Sequence, residues 1–266
     1  MSFNPSRITV SIARTPAEVS EALDFCGSVY ERNYGTRWTV PPDLFFVARE
    51  DDDIVATGGL TFAALHSEIA SERYYKLTQR MRHFVATNRE DIVEFGRFAS
   101  VKMLGAKAIM HSTLLYCALA NIDFLFAWAN PTVVKHTSRL GLNLWPIAVA
   151  LDLNNAMGDT RWACPPAGFF VREHPPQLHL IAVPFCDNVI RTLGEECGTQ
   201  PEWRTSDAVA ARAMAMKPTS VVHAAPKLVR SEADIARPQG GGDAFPSFGS
   251  TSDPDARSLR KPPPSE

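Results

Sequence analysis

The sequence predicts an α/β fold of the α+β kind, one mixed sheet with helices on both faces, over residues 1–198. Three observations support it. Short runs of β-branched and aromatic residues alternate along the chain with segments of helical period. Hydrophobic content of 45% and charge of 21% are ordinary for a chain that buries a core. The run Ile92 to Ser100 is apolar and strand-like, yet contains Glu94 and Arg97. Charges are rare in a central strand unless paired or used, because burying one unpaired costs several kcal/mol, on the order of a domain's stability margin.

The elements follow in order. Ile8, Val10 and Ile12 alternate as in a strand. Thr15-Pro16-Ala17-Glu18 opens a helix to about Asn33, with threonine as N-cap, proline at the first helical position and glutamate closing a capping box. Leu44–Arg49 and Ile54–Phe62 are β-rich runs around Glu50-Asp51-Asp52-Asp53, which predicts a hairpin. Ser71 to Val85 carries Tyr74, Leu77, Met81 and Phe84 on one helical stripe. Strand Ile92–Ser100, helix Leu104–Asn121 and strand Ile122–Ala129 come next. Asn130-Pro131 caps a short helix that Gly141 terminates. Leu144–Leu153 and His179–Phe185 are the last predicted strands, and Asp187 starts the last helix. Residues 199–236 read as a weakly structured extension, with an alanine-rich stretch at 208–225, and residues 237–266, rich in Pro, Gly, Ser and charge, as a disordered tail.

Composition narrows the function classes. A net charge of −2 predicts no nucleic-acid partner, which would demand a basic surface. The five cysteines are odd in number and lack a C-x-x-C, as reduced thiols of a cytoplasmic protein do, and Met1 to Arg7 shows no signal-peptide pattern. Leu114 to Trp128 is the most apolar window, but it contains Asn121 and Asp123 and reads as a buried helix running into a strand, not an integral membrane segment. His111 and His136 have no partner at metal-ligand spacing, so no metal is expected.

The element order, together with three motifs, resembles the GNAT-type acyltransferase fold over about Phe25 to Leu193. The resemblance is to its acyl-chain branch, which includes autoinducer synthases, N-acyl amino acid synthases and the thermostable hemolysin family. Ile92-Val93-Glu94-Phe95-Gly96-Arg97-Phe98-Ala99 is similar to the E-x-x-R-F strand of that branch. Asn130-Pro131 through Arg139-Leu140-Gly141-Leu142 is similar to its N-P … R-L-G-F ending. Tyr30, Tyr34 and Asp43 ahead of Val55-Ala56-Thr57-Gly58-Gly59-Leu60 resemble its entrance. The phosphate loop is represented by Lys102 to Ala108, with Gly105 as its one glycine.

The resemblance implies a single GNAT-like domain with a mostly antiparallel sheet whose central strands splay apart. It implies an acyltransferase moving an acyl chain from acyl-CoA, or from the phosphopantetheine of an acyl carrier protein, to a small-molecule amine such as an amino acid, with no tightly bound cofactor. The catalytic residues would be Glu94, as general base, and Arg97. Donor contacts would fall at Phe98 and Ala99, at Lys102, Gly105 and Lys107 where the next helix begins, and at Asn130. Each has a plainer reading. Glu94 can be a structural partner of Arg97, Arg32 or Arg37; Arg97 can hold the entrance loop; both lysines can be solvated. In a regular strand Glu94 and Arg97 face opposite ways, and a bulge at Gly96 would bring them together. Tyr116 is either a general acid or core packing. Phe95, Phe98, Phe124, Phe126, Leu115 and Trp128 either fill the core or line an acyl tunnel. A lipid-interacting, hemolysin-like protein and a non-catalytic GNAT-like scaffold are the alternative functions.

Overall fold

The structure is a computed structural model, and it describes residues 8–139 and 141–198. The predicted extension at 199–236 and the predicted tail at 237–266 lie outside the described residues. Strand β1 (Ile8–Ile12) leads into helix α1 (Pro16–Tyr34). The capping box predicted at Thr15 is present: the Thr15 hydroxyl accepts from the Glu18 N–H, and the Glu18 carboxylate accepts from the Thr15 N–H at 2.8 Å. Gly35 ends α1 at φ 66°, a left-handed cap that suits glycine. Strands β2 (Leu44–Glu50) and β3 (Asp53–Phe62) form the predicted acidic hairpin.

Two predicted elements come out differently. The single helix expected over Ser71–Val85 is two, α2 (Ala70–Tyr74) and α3 (Gln79–Thr87). Between them Tyr75 bridges to Leu151, Lys76 donates to the Ala150 carbonyl at 2.8 Å, and the Thr78 hydroxyl caps α3. The stripe of apolar residues continues through the break, so periodicity alone does not reveal it. The strand expected over Leu144–Leu153 is reduced to β6 (Trp145–Pro146) at the sheet edge, where proline lacks the N–H a ladder needs. The chain then crosses to Tyr75 and turns into α6 (Leu153–Met157).

The remaining elements are β4 (Ile92–Ser100), α4 (Met103–Leu119), β5 (Phe124–Ala129), α5 (Pro131–Arg139), α7 (Ala167–Phe170), β7 (Gln177–Ala182) and α8 (Asp187–Cys197). The seven strands form one sheet in the order β1-β2-β3-β4-β5-β7-β6, antiparallel except for the β4–β5 pair. Alternate residues go to two cores. Phe46, Leu60, Phe95 and Leu125 pack with α4 and α8; Phe45, Ile92 and Phe126 pack with α1, α2, α3 and α7. Among the described residues no helix is long and apolar enough to cross a membrane.

Candidate functional site

The site begins with a fault in the ladder between β3 and β4. Gly59 pairs with Gly96 and Thr57 with Ala99, so Arg97 and Phe98 together stand opposite Gly58. The expected bulge is therefore present, one residue beyond Gly96. Arg97 sits at φ 50°, a left-handed conformation that costs a residue with a Cβ about 1–2 kcal/mol. Its carbonyl, left out of the ladder, accepts from Thr57 Oγ1 at 3.2 Å and Cys26 Sγ at 3.5 Å. The bulge also shifts side-chain parity. Phe95 and Phe98, three apart, share the α4 face with ring centroids 5.5 Å apart, and Arg97 joins Glu94 on the α1 face.

The second fault lies between β4 and β5. Their parallel pairing runs only from Ile92–Phe124 to Phe95–Ala127, while β4 continues to Ser100 and β5 to Ala129. Beyond Phe95 the strands diverge, as the resemblance implied. A cavity of about 230 Å³ fills the gap. Tyr30, Tyr34, Trp38 and Phe169 line it on the α1 side; Met110, Leu142, Leu144 and Ile181 line it on the other; Glu94 and Arg97 lie between.

Glu94 is 2% exposed. Its carboxylate accepts from the Ser71 N–H at 2.6 Å, one of the free donors of the first turn of α2, and Ser71 Oγ in turn accepts from Trp128 Nε1 at 2.9 Å. Burial raises the Glu94 carboxyl above its ordinary range, and the Ser71 contacts oppose that only in part. No ion pair to Glu94 exists among the described residues, and Arg37, one of its expected partners, binds Asp24 and Glu31 instead. Arg97 is 6% exposed, with its guanidinium 4.3 Å from the centroid of the Trp38 ring. Nη2 donates to the Val40 carbonyl at 3.3 Å, and Nε is buried without a partner. Arg97 is thus tied to the segment at Val40 and also lines the cavity.

Beside these two stands a charged cluster that the sequence did not disclose. The Asp159 carboxylate takes hydrogen bonds from Arg161 Nε and Nη2, at 2.9 and 2.5 Å, and from the Tyr74 hydroxyl at 2.5 Å. Burial pushes the Asp159 carboxyl up, but the Arg161 and Tyr74 hydrogen bonds win and hold it well below the carboxylate range. Trp38 and Trp162 stack at 4.0 Å, and the Arg161 guanidinium lies 5.9 Å from the Trp38 ring. Three of the chain's five tryptophans, Trp38, Trp128 and Trp162, meet here. The Asp159-Thr160-Arg161 spacing was the visible hint; nothing marked Ser71, which reads as an ordinary helix residue.

The expected donor contacts divide into two groups. Phe98, Ala99 and Asn130 line the cavity, and Asn130 Oδ1 also caps α5 by accepting from the Val133 N–H at 2.9 Å. Lys102, Gly105 and Lys107 lie at the start of α4, outside the cavity lining. Lys102 pairs with Glu50, and Lys107 with Glu196 at 2.8 Å, so neither is simply solvated. Gly105 lets α4 lie on β3, since a Cβ there would be 3.0 Å from Val55 Cγ2. Tyr116 is away from the cavity, edge-on to Phe46 with centroids 5.5 Å apart, which makes it core packing. Leu115, Phe124 and Phe126 are likewise absent from the lining, whereas Phe95, Phe98 and Trp128 belong to it. All five cysteines are free, and among the described residues no three His, Cys, Asp or Glu side chains are grouped to hold a metal.

Among solved structures the chain is similar to BjaI, a CoA-dependent acyl-homoserine lactone synthase solved with SAM and isopentyl-CoA, at 13% identity and a TM-score of 0.52 over 78% of this chain and 99% of that one. The same synthase with MTA gives 15% identity and a TM-score of 0.51 over 78% and 99%. FeeM, an N-acyl amino acid synthase from uncultured soil microbes, gives 17% identity and a TM-score of 0.43 over 67% and 92%. No curated protein matches the chain. The likeness to the lactone synthase shows the GNAT-like acyltransferase fold. The family model described as thermostable hemolysin matches residues 12–163, more than half of the sequence, and the chain belongs to that family.

Proposed function

We propose that the protein is an N-acyltransferase that moves an acyl chain from a thioester, carried by CoA or by the phosphopantetheine of an acyl carrier protein, to the amine of a small molecule such as an amino acid. The observation that supports this most is the buried Glu94 carboxylate in the cavity lining, next to the point where β4 and β5 begin to part. Beyond Phe95, β4 leaves its pairing with β5, and an extended pantetheine arm can lie there as an added strand alongside Phe98 and Ala99. The acyl chain enters the arm lined by Met110, Leu142, Leu144 and Ile181. Phosphates reach the first turn of α4 at Lys102 to Lys107, where backbone N–H groups and the helix dipole favour an anion. Lys102 must then exchange Glu50 for phosphate. Free thiols at all five cysteines suit the reducing cytoplasm, where such thioesters are made.

The chemistry is nucleophilic acyl substitution. The amine nitrogen attacks the thioester carbonyl, the nitrogen–carbon bond forms, the carbon–sulfur bond breaks and the thiolate leaves. The amine proton passes to Glu94, directly or through a water. A carboxylate whose proton affinity is raised by burial is a stronger base than one in water, which is the requirement at neutral pH. The test is mass spectrometry of lipid extracts from cells overproducing the protein, searched for new N-acylated amines, with Glu94→Gln as control. The glutamine carbonyl still accepts from Ser71 but takes no proton, so product formation is expected to drop about 10²–10⁴-fold. Equal product from both proteins would remove Glu94 from the chemistry; none from the wild type would remove the acyl-transfer reading.

A further inference from the structure

Arg97 is the only cation among the cavity-lining residues whose guanidinium is buried and, among the described residues, outside any ion pair. Arg172, the other arginine of the lining, is exposed and lies 5.3 Å from the Tyr34 ring. Arg97 is also held in a left-handed backbone conformation by a bulge whose effect is to turn it into the cavity beside Glu94. Its flat face is occupied by Trp38, and one of the two Nη2 hydrogens by the Val40 carbonyl. The Nε–H remains buried, unpartnered, on a residue that lines the cavity. A guanidinium fixed on one face and by one hydrogen, with its Nε–H unused and a second Nη2 hydrogen beside it, is half of a carboxylate clamp, because Nε–H and the adjacent Nη–H match the two oxygens of a carboxylate.

We infer that Arg97 binds the carboxylate of the acceptor, making the protein selective for amines that carry an α-carboxylate over the same amines without one. The inference rests on the acyl-transfer reading for its geometry: an α-amino acid puts its nitrogen two bonds from the carboxyl carbon, so a carboxylate on Arg97 presents the amine on the face that Glu94 shares. Binding of the anion also gives the buried cation the partner that the chain itself does not supply. A site built to pair a charge rejects the analogue that lacks it, because the group left behind is buried and unpaired.

The test compares acceptor pairs with decanoyl-CoA as donor: leucine against isopentylamine, and tyrosine against tyramine. Wild type is expected to favour the amino acid in kcat/KM by at least about 10²-fold. In Arg97→Met the ratio of amino acid to amine is expected to fall by at least about tenfold, with the change in KM for the amino acid. Arg97→Lys, which keeps the charge without the Nε donor, should lie between and serves if the methionine variant does not fold. No preference in wild type, or an undiminished ratio in both variants, would overturn the inference. So would an equal loss for both members of each pair, which would place Arg97 at the thioester oxygen instead. A binding arm needs no turnover: calorimetry with N-decanoylglycine and with neutral N-decanoylethylamine. Arg97-dependent preference for the anion in a protein that acylates nothing would sink acyl transfer and keep the clamp; turnover with a ratio near one would sink the clamp and keep acyl transfer.

Discussion

Glu94 and Asp159 are two buried carboxyls that both accept from α2, from the Ser71 N–H and the Tyr74 hydroxyl, and their surroundings push them in opposite directions. Glu94 is raised by burial, which outweighs the Ser71 hydrogen bonds and the charges of Arg97 and Arg161 that favour its ionised form; Asp159 is lowered by Arg161 and Tyr74 despite burial. The signs for stability follow. A raised carboxyl contributes stability that is fully present below the unfolded carboxyl range and is lost as pH rises through the folded value; a lowered one contributes stability present above the unfolded range and lost as pH falls through the folded value. Glu94→Gln should therefore be as stable as wild type at low pH and gain on it as pH rises. In denaturant melts across pH 4 to 8, the gain should approach about 1.4 kcal/mol per pH unit between the unfolded and folded values. Asp159→Asn leaves Arg161 without its buried partner and should cost about 3–5 kcal/mol near neutral pH, with the difference shrinking in acid. If the Glu94 variant instead loses stability at every pH, its carboxylate is a structural anchor. For activity, the acid limb of the kcat/KM profile should lie above the ordinary glutamate range of about 4.3 and vanish with Glu94→Gln.

At the scale of elements, the parts written into local pattern were legible and the parts set by tertiary pairing were not. The capping box at Thr15, the acidic turn at Asp51 and the apolar–charged mixture of β4 are properties of neighbouring residues, and each predicted its element. The split of α2 from α3 depends on Tyr75 meeting Leu151, far along the sequence, which no local period records. The bulge was legible in kind, because Glu94 and Arg97 needed a common face, but its place was decided by Gly58 across the ladder. A Cβ at Gly58 would lie 2.5 Å from Ile109 Cγ2 and 2.9 Å from the Phe95 ring. The carboxylate pocket at Ser71 was illegible for the same reason: it joins α2 to β4 through a backbone N–H, which is not a feature of any particular side chain. Gly168 ties two further elements together, since a Cβ there would overlap the Tyr34 carbonyl oxygen on α1. Gly168→Ala should thus push α7 off α1, lower stability by roughly 1–3 kcal/mol and loosen Phe169 at the cavity. Unchanged melting with unchanged acceptor KM would show that α7 can shift without consequence.

At the scale of the described residues as a whole, the point where β4 and β5 part organises the site. The two cores would be separate if β4 and β5 paired along their full length; because they part after Phe95, the cavity opens toward aromatic residues of α1 and α7 on one side and toward aliphatic residues near α4 on the other. The polar chemistry and an apolar chain can then meet in the plane of the sheet while remaining in different surroundings. If the aliphatic arm holds the acyl chain, its volume limits chain length, and Met110, contributed by α4 and 7% exposed, sits on its wall. Met110→Phe places a rigid ring where a flexible thioether stood, and a cavity wall accepts the change with less strain than a filled core would. A methylene that no longer fits costs about 1–3 kcal/mol in transition-state binding, so the ratio of kcat/KM for dodecanoyl-CoA over hexanoyl-CoA should fall about 10–200-fold in Met110→Phe, with Glu94-dependent turnover of the short donor still measurable. An unchanged chain-length profile in a folded Met110→Phe protein would place the acyl chain elsewhere, on the aromatic side among Tyr34 and Phe169, and would turn the assignment of the two arms around.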